Sequence, residues 1–501
     1  MPTALVSVYD KTGLEHLARG LTALGWQIVS SGGTSSALTE LGIAHASVES
    51  VTGSPEMLGG RVKTLHPKIH GGILADRSKP EHLADLEAQG IEPIDLVVCN
   101  LYPFRSDPSI EMIDVGGPTM VRAAAKNHAH VGVLVDPGDY GPVLDELRLE
   151  GHLSEQTRRR LARAAFAHTA AYDAAIVGWL DQTSDEVLPP TIHIALERAQ
   201  HLRYGENPHQ HGARYRTIGE TSWWDGVVQH SGIELSYLNL YDVEAAWRLV
   251  HDLGDQPAAA IIKHANPCGA AVAGDLATAY AKAFECDERS AFGGIVAVNG
   301  PVDDATCDAI VAAAQADVIV APSYEPGTLD RLRAKRKNTR LLEASPPGPL
   351  GLDLRQISGG FLVQEPHRFV ATREDWRIVT KRAPTEEQWV DVELAWRLVG
   401  HVKSNAIVLV KGGQAVGIGA GQQNRVESGQ IAASKAAGRA AGGACASDAF
   451  YPFPDGVEAA AAAGAAVVIQ PGGGLRDDEI IGAADRLDLA MVLTGERHFL
   501  H

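Results

Sequence analysis

The chain has 501 residues, of which 45% are hydrophobic and 21% charged, and its formal net charge at pH 7 is −18. Such a length exceeds one hydrophobic core and predicts about two to four domains. The negative charge argues against nonspecific binding to nucleic acid or to an anionic membrane, and no apolar run approaches the roughly 20 residues of a membrane span. The five scattered cysteines and the absence of a signal-peptide pattern predict a reducing, cytoplasmic location.

The first third of the chain alternates short apolar strands with helical stretches. The predicted strands are Ala4–Val8, Gln27–Ser30, Leu96–Asn100 and Val131–Val135. Between them, Leu14–Leu24 has apolar residues at helical spacing. This rhythm predicts an α/β domain with a doubly wound parallel sheet. We interpret Ser154–Trp179 as a pair of amphipathic helices that closes this domain.

A segment with two consecutive prolines, residues 184–191, is the predicted linker. The predicted domains are therefore 1–188 and 192–501. Prolines and glycines interrupt the second domain near residue 350, where we expect it to divide into two subdomains. Further on, the alanine-rich tract Val457–Ala466 predicts a packed helix that leads into a buried strand.

Lys263 and His264 directly follow the apolar run Ala258–Ile262, which predicts a buried strand. Pro267 and Gly269 predict a sharp turn just afterwards, which would expose the two side chains. A histidine that titrates near neutrality, beside a fixed positive charge, suits proton removal while negative charge builds nearby. The alternative is a strand end with a solvated lysine and a histidine bonded to a backbone carbonyl, and this segment alone leaves both open.

Glycine-containing turns in the first domain suggest an anion site. The segment 31–34, Ser-Gly-Gly-Thr, joins a strand to a helix, where backbone N–H groups and the helix N-terminus favour phosphate. The segments 58–67 and 114–128 add cations, a carboxylate and two more Gly-Gly pairs. Arg122 and Lys126 lie one helical turn apart, so a shared anion would relieve their repulsion. The alternatives are plain turns and solvated cations.

Segments along nearly the whole chain resemble those of one known family. In the first domain they are Ser7–Gly13, Arg61–Pro67, Asn100–Phe104 and Arg122–His128. In the second they are Leu202–Gln210, Lys263–Gly269, Ser290–Gly294, Val402–Ala406, Gly419–Val426, Ser447–Phe450 and Arg497–His501. They are similar, in order, to segments of the bifunctional purine-biosynthesis proteins, which join an IMP cyclohydrolase to an aminoimidazole carboxamide ribonucleotide (AICAR) formyltransferase. Asn424 and Gly474 depart from the serines usual in that family, which puts local loop contacts in doubt.

The resemblance implies an N-terminal methylglyoxal-synthase-like doubly wound parallel sheet and a C-terminal region of two cytidine-deaminase-like α/β subdomains. It implies formyl transfer from 10-formyltetrahydrofolate to AICAR, which gives FAICAR and tetrahydrofolate, and then closure of FAICAR to IMP with loss of water. The expected partners are these small molecules and a second copy of the chain, in a homodimer whose formyltransferase sites span the interface. No catalytic metal, nucleic acid or membrane partner is expected.

The resemblance also implies site residues. For the cyclohydrolase, the catalytic residues would be Lys63, Tyr102, Asp114 and Lys126, and the substrate and its phosphate would be held by Lys11, Ser31, Gly33, Thr34, Arg61, Thr64 and Asn100. For the formyltransferase, His264 would be the base and Lys263 would stabilise charge on the formyl oxygen. Nucleotide contacts would come from Arg203, Tyr204, Asp317, Asn405, Arg425 and Arg497, and the substrate and folate side from Phe292, Gly293, Phe450 and Asp455. How Lys63 and Lys126 divide their roles stays open.

Two other functions compete with this interpretation. A zinc nucleobase deaminase would need a His-x-Glu and a Pro-Cys-x-x-Cys, and Cys268 has no second cysteine three residues on. A regulatory nucleotide-binding module without turnover would need only the phosphate turns, because such turns alone do not imply chemistry.

Overall fold

The computed structural model describes residues 1–55 and 57–501. The chain separates into two compact units, which we name the N-terminal unit (Met1–Glu197 with Thr217–Gly219) and the C-terminal unit (Arg198–Arg216 with Glu220–His501). Among the described residues, no helix combines the length and the apolar character that crossing a bilayer requires.

The N-terminal unit is built on one parallel sheet. Its strands are β1 (Thr3–Val6), β2 (Gln27–Ser30), β3 (Ala46–Ser47), β4 (Leu96–Val98) and β5 (Gly132–Leu134). They pair in the order β3-β2-β1-β4-β5, and every pairing is parallel. The order runs outward from β1 in both directions, so the predicted doubly wound sheet is confirmed. Strand β1 is fully buried and lies at the centre of the unit's core.

The helices of the N-terminal unit are α1 (Leu14–Ala23), α2 (Gly32–Glu40), α3 (Val48–Thr52), α4 (Pro67–Leu74), α5 (Pro80–Ala88), α6 (Gly116–Lys126), α7 (Tyr140–Glu150) and α8 (Glu155–Asp181). The prediction of a helix pair at 154–179 is wrong, because α8 is one continuous helix of 27 residues. Ser154 caps it by accepting a hydrogen bond from the Thr157 N–H, and its alanine-rich, proline-free sequence gives no reason to break.

The C-terminal half of the chain supplies the remaining elements. The strands are β6 (Leu196–Leu202), β7 (Gly212–Thr217), β8 (Val228–Ser231), β9 (Ala258–Lys263), β10 (Asn266–Val272), β11 (Ile295–Val298), β12 (Val318–Ala321), β13 (Arg340–Glu343), β14 (Asp353–Ile357), β15 (Gly360–Gln364), β16 (Arg377–Ile378), β17 (Ile407–Lys411), β18 (Gln414–Gly419), β19 (Ala444–Ser447), β20 (Val467–Gln470) and β21 (Ala490–Leu493). The helices are α9 (Tyr237–Asp252), α10 (Leu276–Cys286), α11 (Glu288–Ala291), α12 (Asp304–Ala312), α13 (Thr328–Lys335), α14 (Glu386–Val399), α15 (Arg425–Ala436), α16 (Asp455–Ala462) and α17 (Asp477–Arg486). The predicted helix and strand at 457–469 are thus present as α16 and β20.

The main sheet of the C-terminal unit consists of two halves with the same strand order. The first half runs β8-β13-β12-β11-β9-β10, the second runs β16-β21-β20-β19-β17-β18, and β10 pairs with β18 where they meet. Helices α9 and α14 cover one face with a single core that spans both halves. The opposite face carries one separate core for each half. The predicted division near residue 350 falls in the loop between β13 and β14, outside the main sheet.

Helices α9 and α14 carry a sequence repeat that the analysis of periodicity did not find. Residues 242–250 read DVEAAWRLV and residues 391–399 read DVELAWRLV. Both helices also begin with a capping box, at Ser236 and at Thr385. The C-terminal unit is therefore an internal duplication, and comparing the chain with itself would have revealed it.

Candidate active sites

The β9–β10 connection is a two-residue hairpin turn that carries His264 at its tip. His264 and Ala265 have φ angles of +56° and +55°, and Lys263 pairs with Asn266 across the turn. Such a turn normally takes glycine or asparagine at both central positions, because the left-handed conformation strains other residues. The turn thus lies earlier than predicted, and Pro267 is part of β10 instead. Its position exposes the His264 side chain at the surface of the unit.

Lys263 is held at the end of β9 by a glycine-containing loop. Its Nζ donates to the carbonyl oxygens of Phe292 at 3.3 Å and Gly293 at 2.9 Å. Gly293 has a φ of +68°, and a Cβ atom added there would lie 3.1 Å from Lys263 Nζ and 3.7 Å from Asp317 Oδ1. This loop therefore brings Lys263, Gly293 and Asp317 together, and it leaves the Phe292 ring 65% exposed.

A second cluster forms around Arg425. Its Nη2 donates to Asn405 Oδ1 and to Asp448 Oδ1, both at 2.8 Å. The Asp448 carboxylate is fully buried, so this ion pair is shielded from solvent. The Phe450 carbonyl oxygen accepts from Arg425 Nη1 at 3.4 Å. The Arg425 guanidinium therefore connects Asn405, Asp448 and the Phe450 backbone.

Asn266 connects the His264 turn to the Arg425 cluster. Its Oδ1 accepts a hydrogen bond from the Lys403 N–H at 3.0 Å, two residues before Asn405 in the chain. The β10–β18 pairing brings the same two segments to one end of the sheet. The predicted residues His264, Asn405 and Arg425 are thus gathered at one end of the main sheet, although they are far apart in sequence.

The remaining predicted residues of the C-terminal unit lie at its surface. The Arg203 guanidinium is 5.7 Å from the centre of the Tyr204 ring, and that of Arg497 is 4.4 Å from the Phe499 ring. Asp455 begins α16 and accepts a hydrogen bond from its neighbour Gly456.

Sequence reasoning missed one cation in this region. Burial lowers the pKa of the Arg340 guanidinium, the Asp317 carboxylate opposes that shift, and Arg203 adds to it as a like charge. Two arginines and a carboxylate therefore interact beside the start of β12, an arrangement that could receive an anionic group. No family segment quoted above contains Arg340, and it lies only three residues after Lys337, at the end of a basic run that gives no sign of which cation faces Asp317.

In the N-terminal unit, Lys63 lies beside the turn between β2 and α2, and Lys11 lies in the loop after β1. Gly32 has a φ of +53°, and a Cβ atom added to it would lie 3.1 Å from Lys63 Nζ, whereas one added to Gly33 would meet no atom within 4 Å. Lys11 Nζ donates to the carbonyl oxygens of Val8 and Tyr9, and burial lowers its pKa.

Two of the predicted phosphate ligands of this turn are buried. The Thr34 hydroxyl donates to the Val8 carbonyl oxygen at 2.9 Å and accepts from the Val8 N–H at 3.0 Å. It therefore fastens the start of α2 to the end of β1. Ser31, which immediately precedes α2, is also buried.

Asp114 precedes α6, on the same side as this turn. Its Oδ1 accepts from the Gly117 N–H at 2.8 Å, and burial raises the pKa of its carboxyl. A Cβ atom added to Gly116 would lie 3.2 Å from the Thr64 hydroxyl, which places Thr64 beside the same helix start. Sequence reasoning missed Tyr172, whose hydroxyl accepts from the Asp114 N–H at 2.9 Å and donates to the Met112 carbonyl oxygen at 2.7 Å.

Asn100 and Tyr102 follow β4 and face the loop after β1. Asn100 Oδ1 accepts from the N–H groups of Tyr9 and Asp10, at 2.5 Å and 2.9 Å. The Tyr102 ring packs edge-on against Tyr9, with ring centres 5.7 Å apart. Arg61 forms an exposed ion pair with Glu111, for which we expect little energetic contribution.

One predicted catalytic residue lies apart from the others. Lys126 ends α6, whereas Asp114 lies just before its start. At 1.5 Å per residue, the eleven residues of α6 rise about 16 Å along the helix axis between the two positions. A single chain therefore brings Lys63, Thr64 and Asp114 together at the helix start and leaves Lys126 at the opposite end.

Comparison with known proteins gives the family. Residues 124–435 match the family described as AICARFT/IMPCHase bienzyme, and residues 13–128 match MGS-like domains. The chain belongs to the AICARFT/IMPCHase bienzyme family. It is a bifunctional enzyme of purine biosynthesis, an AICAR formyltransferase and IMP cyclohydrolase, and the first activity implies a folate-type co-substrate.

Relatives of this bienzyme family match the chain over its full length. The bifunctional purine biosynthesis protein PurH of Cyanothece sp. (strain PCC 7425 / ATCC 29141) is 49% identical, over 100% of both chains. PurH of Dinoroseobacter shibae (strain DSM 16493 / NCIMB 14021 / DFL 12) is 50% identical, over 99% of this chain and 98% of its own. The crystal structure of ForH is 38% identical and covers 37% of this chain and 100% of its own, with a TM-score of 0.35, which is too low for a comparison of folds.

The bienzyme assignment also replaces the deaminase hypothesis. Burial raises the pKa of the Cys268 thiol to about 12. Its Sγ lies 3.4 Å from the Ile261 carbonyl oxygen, as a packed residue of the hairpin.

Proposed function

We propose that the two activities belong to different units, with formyl transfer at the His264 turn of the C-terminal unit and cyclisation beside Asp114 in the N-terminal unit. The observation that carries this proposal is the hydrogen bond from the Lys403 N–H to Asn266 Oδ1, which ties the His264 turn to the Asn405–Arg425 cluster. The N-terminal unit separately contains a glycine turn, a lysine and a carboxyl of raised pKa at the same edge of its sheet.

In the proposed formyl transfer, the formyl donor is 10-formyltetrahydrofolate. The amine of AICAR is a weak nucleophile because it is conjugated with the imidazole ring, so proton removal must accompany its attack. His264 accepts that proton as the new C–N bond forms. Lys263 stabilises the negative charge that develops on the formyl oxygen. The bond from the formyl carbon to the folate nitrogen then breaks, and that nitrogen takes up a proton to give tetrahydrofolate and FAICAR.

The proposed nucleotide contacts surround this turn. Arg203, Tyr204 and Asp317 lie near Lys263, and Arg340 adds a second cation to that group. Asn405 and Arg425 line the other side. The exposed ring of Phe292 suits a flat heteroaromatic ligand, and we assign it with Gly293, Phe450 and Asp455 to the substrate and folate side, while Arg497 belongs to the nucleotide contacts.

In the proposed cyclisation, the carboxamide nitrogen of FAICAR attacks the formyl carbon, and water leaves. Asp114 orients the carboxamide, and its raised pKa suits a carboxyl that exchanges a proton with a weakly basic group. Lys63 stabilises the tetrahedral oxygen and Tyr102 closes the centre. The ribose phosphate binds at the start of α2, with Lys11, Thr64, Asn100 and Arg61 in or near its site.

We further propose that the enzyme acts as a homodimer in the cytoplasm, with these small molecules as its other partners. A second copy would give Lys126 a place in the reaction, because it lies at the opposite end of α6 from Asp114. In that arrangement Lys126 of one copy reaches the cyclohydrolase centre of the other.

The test is a pair of reciprocal variants. His264→Ala should lower formyl transfer about 10²- to 10⁴-fold, the usual contribution of a general base, and leave FAICAR cyclisation unchanged. Asp114→Asn should lower cyclisation about 10²-fold and leave formyl transfer unchanged. Tetrahydrofolate release measured by absorbance reports the first step, and IMP formation from supplied FAICAR reports the second. Loss of both activities in a correctly folded variant would refute the two-site assignment.

A further inference from the structure

The strained His264 turn is held by a carboxylate from α9. Asp242 Oδ1 accepts a hydrogen bond from the Ala265 N–H at 2.8 Å. The same carboxylate also receives a backbone hydrogen bond from His264. A charged acceptor makes such bonds about twice as strong as neutral ones. Asp242 therefore acts on the two residues of the turn whose backbone is left-handed.

In the second half of the sheet, a carboxylate also accepts a hydrogen bond from a hairpin turn, but the turn has a different sequence. Asp391 is the counterpart of Asp242 in the repeated sequence, and its Oδ1 accepts from the Gly413 N–H at 2.8 Å. The β17–β18 turn has Gly412 and Gly413 at its centre, with φ angles of +62° and +71°. The two hairpins thus share the fold and the carboxylate, and they differ in which residues occupy the left-handed positions.

Because of this difference, the first turn needs its carboxylate more than the second turn does. Glycine adopts positive φ at little energetic cost, so the Gly412–Gly413 turn can form without stabilisation by a neighbouring side chain. For other L-residues the left-handed conformation costs about 1–2 kcal/mol each. The turn that carries His264 and Ala265 therefore depends on an external partner to stay in this conformation, and Asp242 is that partner.

We propose that Asp242 is a positioning residue of the formyltransferase, which keeps the imidazole of His264 in its reactive place by fixing the backbone of the turn. This inference rests on the proposed role of His264 as the base. Asp242 acts through the backbone N–H groups of the turn, and it is not assigned any contact with substrate. A general base must lie within about 3 Å of the proton that it removes, so a turn that relaxes would move His264 out of reach.

The experiment compares Asp242→Ala with Asp391→Ala in the full-length enzyme. Asp242→Ala should lower kcat of formyl transfer about 10- to 100-fold, with KM for AICAR changed less than about twofold, because the turn is displaced and the binding residues remain. Asp242→Asn keeps an acceptor oxygen and should retain most of kcat. Asp391→Ala should lower the melting temperature, as Asp242→Ala does, but leave kcat within about twofold of the parent enzyme. FAICAR cyclisation should be unchanged in all three.

A second substitution separates positioning from simple loss of stability. Ala265→Gly removes part of the strain that Asp242 offsets, so adding it to Asp242→Ala should restore kcat at least about threefold. Equal loss of kcat in Asp242→Ala and Asp391→Ala, or no rescue by Ala265→Gly, would overturn the proposal. If His264→Ala itself retained formyl transfer, the assignment of His264 as the general base would be wrong. If only His264→Ala were inactive and Asp242→Ala matched the parent, the positioning role alone would fail.

Discussion

The two halves of the C-terminal sheet use the same hairpin for different purposes. One turn has two glycines, which is the best choice for folding, and the other has His264 and Ala265, which is a poor one. The strand order, the preceding helix and the carboxylate that accepts a hydrogen bond from the turn are the same in both. The turn that carries the proposed base therefore contains residues that disfavour the left-handed conformation. Its counterpart contains glycines, which favour it.

The halves also differ in how the repeated tryptophan is covered. In the first half, Trp247 Nε1 donates to the Ser345 carbonyl oxygen at 2.9 Å. In the second half, Trp396 packs against the ring of His498, with centres 4.7 Å apart. A hydrogen bond to a carbonyl does not titrate, whereas a buried imidazole does. Trp247 also packs against His251, with ring centres 4.3 Å apart, and burial lowers the pKa of that imidazole. Packing therefore depends on pH in both halves, and the larger pKa shift is that of His498 in the second half.

The strongest test of the comparison makes the first turn resemble the second. The double substitution His264→Gly with Ala265→Gly should lower kcat of formyl transfer about 10³-fold, because the general base is lost. It should also raise the free energy of unfolding by about 1 kcal/mol, because glycine relieves the left-handed strain. Formyl-transfer assays and thermal unfolding measure the two effects. A variant that loses both activity and stability would contradict the view that His264 and Ala265 strain this turn.

Acid should weaken the second half more than the first, because the larger histidine pKa shift of the two is that of His498. Burial lowers the pKa of His498 to about 3, and the nearby His367 and His401 add to this shift. Between pH 6.5 and 3 the unfolded chain binds a proton that the folded chain does not, so stability falls as the pH drops below 6.5. The loss should be on the order of 2 kcal/mol between pH 7 and pH 5. His498→Asn should flatten this dependence in thermal unfolding at a series of pH values, and an unchanged profile would contradict the assignment to His498.

The smallest expected effect comes from the reverse change in the second turn. A Cβ atom added to Gly412 would meet no atom within 4 Å, so Gly412→Ala introduces only the backbone strain. It should cost about 1 kcal/mol of unfolding free energy and leave both activities unchanged. Chemical denaturation measures the cost. A larger loss would mean that the glycine has a packing role as well.

Much of the fold was predictable because it depends on local pattern. Strand β2 has the predicted bounds Gln27–Ser30, since buried β-branched residues between turn signals define it well. Two of the family segments, Lys263–Gly269 and Ser290–Gly294, meet at Lys263, whose Nζ donates to the Gly293 carbonyl oxygen. These segments are short and distinctive, and they recur in order along the chain.

The features that sequence reasoning missed depend on distant partners. The His264 turn was predicted at Pro267 and Gly269, because those residues are stronger turn formers. Gly269 is instead required inside β10, where an added Cβ atom would come 1.9 Å from the Ala283 carbonyl oxygen. The actual turn is possible because Asp242 approaches from α9, and no local pattern reports that contact. The separation of Lys126 from Asp114 likewise follows from the direction of a helix and not from its sequence.

The pairing of β10 with β18 has a consequence for the separability of the two halves. Each of these strands is interior only because the other lies beside it, and both are almost wholly buried. If either half were produced alone, an apolar strand with unpaired backbone groups would be left at its edge, and such edges recruit other chains. The duplicated halves therefore no longer form independent proteins, and a fragment that ends between them should aggregate.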